Sequence, residues 1–384
     1  MKLGLLANDI ELKDSFEKLD LFKEVRMFNT LFAYETFDVL IISDRIIQPN
    51  ELFAKYEKTS PQTVFYMVSN DTEQNLLNKI ITVCKSKDIV VLPPKLSLEQ
   101  VKDRVLKEVF PEMNKINKNI ITFFGADSKV GVTSVAQSLA EMVAQRTELK
   151  NGVAVLFLNE QPTQIFYEYK QDKGIESIKT ALMSRTLTQD DIINASIKKD
   201  KLHLVPGPDF IIDFPDYDVE VIDYYIREVA SIFDVVIIDA GHRIDSLLSV
   251  ASLNATSNKY LVTTQQLSAK IAFDRMATQV FPKLGLTIDD FYIVVNKCLE
   301  YREIYEDKEI ANMYKMTIAA SLPNLEFKGW QAEFDKKSLL SYEETEFNSK
   351  IEQFTKLISE VVGVKLIVQE EKRRSFIKLL SLNR

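Results

Sequence analysis

A chain of 384 residues with 46% apolar and 27% charged residues is too long for one ordinary domain, and its composition excludes a disordered, collagen-like or coiled-coil protein. The net charge is −8, yet residues 372–384 carry five bases and no acid, so the other 371 residues carry −13. An acidic body is a poor general partner for nucleic acid, which needs clustered Lys and Arg.

Cys84 and Cys298 lie 214 positions apart, and with only His203 and His242 besides they argue against a zinc site or a disulfide framework. No run of 18 apolar residues is present, and the N-terminus turns acidic within nine residues without the apolar core of a signal peptide. A cytoplasmic protein is expected.

Residues 1–110 alternate strand and helix. Short apolar runs at 2–8, 24–28, 38–43, 63–69 and 89–92 read as strands. The segments 10–19, LFAYE, 50–58, 72–87 and 97–110 have helical spacing, the last opening on a Ser97 cap with Glu99 two positions on. Five such units predict a doubly wound parallel sheet. Pro111 and the polar stretch 114–119 read as a linker. A second α/β series follows, with strands at 119–125, 152–159, 201–208, 233–241, 259–265 and 291–297. Their near-continuous apolar runs predict a parallel sheet covered on both faces. The fold class expected is therefore α/β, with two doubly wound parallel-sheet domains. Lys85, Lys87 and the Lys198–Lys201 cluster read as solvated helix ends rather than a DNA-binding stripe.

The segment FFGADSKVGVTSVAQSLA has the order strand, small-residue loop, helix. A phosphate loop of the form GxxxxGK[ST] needs main-chain amides converging on phosphate at a helix N-terminus. Aligned on Gly131 and Thr133, the chain has Ala126 for the first glycine and Val132 for the lysine. Gly131 permits close backbone approach, Thr133 is the expected Mg²⁺ ligand, and Ser134 is expected to cap the helix or contact phosphate. Asp239 ends a buried strand, where a carboxylate can hold the metal shell, and Asn296 ends another, where an amide can read an adenine edge.

With these residues placed, 119–365 resembles the ParA/MinD family of deviant-Walker ATPases, and most of all its CpaE/TadZ branch, which localises Tad pilus machinery. That branch joins a receiver-like domain to the ATPase-like one. LHLVPGP, LVTTQQLSAK and SLPN add to the likeness. The resemblance implies a receiver-like domain over 1–112, a linker at 113–118, a P-loop domain over 119–365 and a tail over 366–384. Its motif KGGVGK[ST]T falls on Asp127, Ser128, Lys129, Val130, Gly131, Val132, Thr133 and Ser134.

The signature lysine thus becomes Asp127 and the Walker lysine Val132, while the switch I aspartate falls on Asn159. A charge-assisted hydrogen bond contributes about 1.5–3 kcal/mol, so the loss at Val132 weakens nucleotide binding roughly tenfold to a hundredfold or more. Asp127 adds repulsion. Phosphoryl transfer relies on positioned cations and an oriented water, so hydrolysis is expected to be very slow or absent, unless Lys129 substitutes. ATP and Mg²⁺ are the implied cofactors, held weakly, and a homodimer and pilus or secretion proteins are the implied partners.

By the same likeness a receiver has an acidic pair, a phosphoacceptor and a lysine at fixed strand ends. Here Asp9 stands beside Asn8, Ser43 takes the acceptor position with Asp44 one residue late, and Pro94 replaces the lysine with Lys95 late. Ser69 matches the small hydroxyl position. An unphosphorylated docking domain is expected.

The tail KRRSFIKLLSLNR fits an amphipathic helix. Phe376, Ile377, Leu379 and Leu380 fall on one arc of about 160°. Lys372, Arg373, Arg374 and Lys378 suit an anionic membrane surface. The leading expectation is a barely enzymatic scaffold peripheral to the inner face of the cell membrane. An active ATPase switch is the first rival and a DNA-partition ATPase the second. A further rival for the tail is a last helix packed on the body.

Overall fold

The computed structural model describes residues 1–19, 21–30, 36–56, 63–69, 72, 74–94, 96–110, 118–159, 172–208, 217–301 and 304–367. The helix expected at LFAYE, most of the linker, Lys95 and the basic tail lie outside them.

In the first unit the elements run β1 (Lys2–Leu6), α1 (Ile10–Glu17), β2 (Glu24–Met27), β3 (Val39–Ser43), α2 (Pro49–Tyr56), β4 (Thr63–Met67), α3 (Gln74–Lys85), β5 (Ile89–Leu92) and α4 (Leu98–Val109). The strands pair in parallel in the order β2-β1-β3-β4-β5. The α4 cap is a full box, with Ser97 and Gln100 satisfying each other's backbone N–H, so Gln100 rather than Glu99 is the reciprocal partner. Lys85 sits in the last turn of α3, as a solvated helix end.

The second unit runs β6 (Ile120–Gly125), α5 (Val132–Arg146), β7 (Val153–Phe157), α6 (Lys179–Met183), α7 (Gln189–Ala195), β8 (Ile197–Lys199), β9 (Leu202–Val205), α8 (Val219–Ile232), β10 (Val235–Asp239), α9 (Leu247–Asn254), β11 (Lys259–Thr263), α10 (Leu267–Gln279), α11 (Phe281–Leu284), β12 (Phe291–Cys298), α12 (Asp307–Tyr314), β13 (Ile318–Pro323), α13 (Lys328–Asp335) and α14 (Thr345–Val362). Its eight strands take the order β13-β12-β11-β6-β10-β7-β9-β8.

The apolar runs form strands because both sheet faces are covered. Along β10, Val235 and Ile237 face one core with Phe273 and Phe354, while Val236 and Ile238 face another with Ile222, Ile226 and Leu248. Burying a large apolar side chain contributes about 1.5–3 kcal/mol, and β6, β7, β10 and β11 are buried throughout. One expectation is corrected. Lys198 and Lys199 are not at a helix end but on β8, which pairs antiparallel with β9. Asp200 turns the hairpin with a φ of 54°. Alternation in the short segment IKK is too weak a signal for a strand.

The two units meet along α4. Ser97 Oγ donates to the buried Asp223 at 3.3 Å, and Arg227 bridges Asp223 at 2.9 Å and Asp103 at 2.5 Å. Arg104 donates to the carbonyl of Gly285 at 3.3 Å. Gly285 caps α11 in the left-handed region, and a Cβ there would lie 2.2 Å from Pro93 Cγ. Among the described residues no helix is long and apolar enough to cross a membrane.

Lys259 opens β11 in a buried position near this junction. Burial pushes its ammonium down to about 8; Asp290 opposes the shift and Arg104 and Lys107 reinforce it. From about pH 8 to the ~10.4 of an unfolded lysine, the folded chain has released a proton that the unfolded chain keeps, so this group makes stability rise with pH. Lys259→Met is expected to remove that rise, measured as urea midpoints below and above the window.

Candidate functional site

From β6 the chain crosses over β10 to reach β7, whereas from β10 it crosses over β6 to reach β11. The connections therefore diverge between the carboxyl ends of β6 and β10, and a crevice opens where ligands of open α/β sheets bind. The loop 126–131 leaves β6 into this crevice. Its entry is fixed by main-chain bonds from Gly125 N–H to Gly241 O at 2.7 Å and from Ala126 N–H to Val262 O at 2.9 Å.

Two left-handed residues, Lys129 at φ 57° and Gly131 at φ 96°, then fold the chain into α5. Only glycine fits at 131, because a Cβ would lie 2.3 Å from Asn296 Nδ2. Asn296 Nδ2 donates to Val130 O at 2.9 Å and Lys297 Nζ donates to Lys129 O at 2.8 Å. Two consecutive carbonyls of the loop are thus held by the end of β12. Gly131 offers no capping side chain, so the first N–H groups of α5 retain their capacity to bind an anion.

Opposite the loop, Asp239 is fully buried at the end of β10. Its Oδ2 accepts from Thr133 Oγ1 at 2.5 Å and its Oδ1 accepts from Gly241 N–H at 3.0 Å. Asn159 Nδ2 donates to the Asp239 carbonyl at 3.3 Å. Burial raises the Asp239 carboxyl above its usual range, while the bonds from Thr133, Gly241 and Asn159 pull it down.

The carboxylate–hydroxyl pair is a hard oxygen set suited to Mg²⁺, which commonly takes one or two protein oxygens and fills its shell with phosphate and water. No group of three or more His, Cys, Asp or Glu side chains among the described residues offers a complete protein cage. The fit is therefore to a metal carried with a phosphate ligand.

The positions where the resemblance leads one to expect lysines have structural roles of their own. Val132 is buried and belongs to the core, and its Cγ2 lies so close to Gly125 that a Cβ there would approach it to 3.0 Å. It can send no cation toward a phosphate. Asp127 Oδ1 accepts from Ser128 N–H at 2.7 Å, so the carboxylate shapes the loop itself. Ser128 and the Lys129 side chain are exposed, and Ser134 makes none of these contacts. Asn296 stands where expected, but its amide donor is committed to the loop. Lys297 was not anticipated; its signal is the Asn-Lys pair ending an apolar strand.

In the first unit a crevice of about 410 Å³ is lined by Asn8, Asp9, Ser43, Asp44 and Ser69 among others. Asp44 Oδ2 accepts from Ser69 N–H at 2.8 Å and Ser69 Oγ at 2.9 Å. The one-residue slip does not turn Asp44 away, because β3 ends at Ser43 and strand alternation stops there.

The second unit, a sheet wound on both faces and parallel except for β8, shares its fold with solved ATPases of the ParA/MinD type. A ParA-family ATPase from Chlorobium tepidum is 17% identical over 62% of this chain and 98% of its own, with a TM-score of 0.54. The MinD cell-division ATPase of Pyrococcus furiosus is 15% identical over 64% of this chain and 99% of its own, with a TM-score of 0.51. The septum-site-determining MinD of Pyrococcus horikoshii, solved with Mg-ADP, is 13% identical over 64% and 97%, with a TM-score of 0.52. At such identities the likeness is one of fold. No family model matches the sequence, and no curated protein does.

Gly131→Ala is expected to cost about 2 kcal/mol, through left-handed strain and loss of the Asn296–Val130 bond. Gly329→Ala, whose Cβ would meet nothing within 4 Å, serves as the control and should be neutral or slightly stabilising. Denaturant unfolding of both variants checks this.

Proposed function

We propose that this chain is a ParA/MinD-type protein of the CpaE/TadZ kind, a localisation scaffold whose nucleotide fold has lost most of its chemistry. It forms homodimers and positions pilus or secretion machinery at the cytoplasmic face of the membrane. The observation that carries this reading is the Thr133–Asp239 pair beside left-handed Gly131, in a loop whose lysine position is a core valine.

The N–H groups from Gly131 to Ser134 would hold phosphate, Thr133 and Asp239 the Mg²⁺ shell, and Asn296 Oδ1 the base. A bound Mg²⁺ would neutralise phosphate charge. The MinD solved with Mg-ADP is consistent with that assignment. Without ammonium groups at 127 and 132, and with Asn159 in place of a water-orienting carboxylate, the site binds weakly and turns over little. The receiver-like unit, 1–112, serves as a docking module; the linker spans 113–118, the nucleotide fold 119–365 and the membrane tail 366–384.

A second reading, an active ATPase switch, draws on Lys297, an ammonium 2.8 Å from the Lys129 carbonyl. Steady-state phosphate release with Mg-ATP separates the two. Release at background, unchanged by Thr133→Ala, is expected; a robust rate abolished by Thr133→Ala selects the switch. For the tail, co-sedimentation with anionic liposomes should fall on deleting 372–384, and an unchanged bound fraction removes the membrane assignment.

A further inference from the structure

The helix α13 presents an aromatic stripe to solvent. Phe327, at its N-cap, and Trp330 and Phe334 within it fall on an arc of about 60° at 100° per residue. Phe334 is 88% exposed, Trp330 76% and Phe327 56%. No large apolar side chain among the described residues is more exposed than the first two. The opposite side of the helix is anchored by Ala332, which is fully buried in the core. The stripe is therefore no loose part of that core. Single exposed apolar residues are ordinary on a protein surface, whereas three aromatics on one helical face mark a contact site.

The polar rim identifies what covers it. Lys328 is paired with Glu344, and Asp335 accepts from Tyr342 Oη at 2.8 Å, so these two charges are spent. Glu326, Glu333 and Lys337 are exposed, and their side chains have no hydrogen-bond or ionic partner among the described residues. Two acids and one base around the stripe disfavour an anionic lipid surface. A second copy fits them. Set antiparallel about a two-fold axis at residue 332, Trp330 of one copy meets Phe334 of the other, and Phe327 meets Lys337 as an aromatic–cation pair. Glu326 then lies one position from Lys337, and Glu333 faces the Gln331 amide. A parallel copy would set Glu333 on Glu333. The area is also of the right order: at 150–250 Å² per aromatic side chain, the exposed parts of the three contribute roughly 450 Å² per copy. That is more than half of the ~800 Å² each partner gives to an interface of standard size.

We propose that α13 is the surface on which two copies of this chain meet, antiparallel across a two-fold axis, with Phe327, Trp330 and Phe334 as its buried centre and Glu326–Lys337 pairs at its rim. Aromatic side chains clustered at the centre of a patch and ringed by polar groups are the arrangement that carries most of the binding energy of an interface. This contact uses no group of the phosphate loop, so it holds with or without nucleotide. It goes beyond the homodimer reading above by giving that dimer a place on the fold.

Trp330 is the only tryptophan of the chain, so its emission reports this face directly. The test reads mass by light scattering and tryptophan emission on the full chain, over a dilution series without nucleotide. A dimer whose emission shifts to the red as it dissociates is expected. Phe334→Glu should raise the dissociation constant at least about thirtyfold. Its urea midpoint, compared at a dilution where both proteins are monomeric, should be unchanged because the side chain is exposed. Glu326→Lys and Lys337→Glu should each weaken the dimer, and the double variant should restore it. A double variant as weak as the single ones overturns the antiparallel arrangement. A monomer at every concentration overturns the proposal, as does an emission shift that appears only with anionic vesicles. A dimer that survives Phe334→Glu overturns this surface and leaves the homodimer reading standing.

Discussion

A carboxylate with no exposed surface must be satisfied by the protein around it, and the end of β10 is organised by that requirement. Asp239 draws in the hydroxyl of Thr133 on α5, the N–H of Gly241 and, through its carbonyl, the amide of Asn159 just past the neighbouring strand β7. An unsatisfied charge there is strongly unfavourable, so three segments converge on one point. The entry of α5 follows from this, as does the path of the loop before it. The crevice at the sheet's switch point is therefore built from hydrogen-bond satisfaction first, and stands without lysine at either motif position.

The other side of the loop depends on β12. Asn296 and Lys297 hold two successive carbonyls, an arrangement that needs no ligand to maintain it. The loop is pre-shaped, with its amides available. The side chain at 132 joins the core instead of entering the crevice.

Much of this was legible in the sequence, and for identifiable reasons. Runs such as VVIID and IITFFG are apolar at every position because they are buried on both faces, and that pattern survives any change of partner. Gly131, Thr133 and Asp239 were readable because their chemistry is tied to fixed places at strand and helix ends. Lys297 was not, because an exposed lysine beside an asparagine resembles any surface lysine until the loop is seen beneath it. The β8 strand escaped for the opposite reason, being three residues long with two exposed. The role of Asp44 was also hidden, since whether a residue just past a strand turns inward depends on where the strand stops.

The hairpin of β8 and β9 has a consequence for how the molecule can associate. An unpaired strand is a template for sheet growth, and here the outermost one is short, reversed in direction and studded with Lys198 and Lys199. Ammonium groups of two copies brought rim to rim would repel. That border of the eight-stranded sheet is thereby closed to polymerisation, and copies at high local concentration can crowd without fusing into fibres along it.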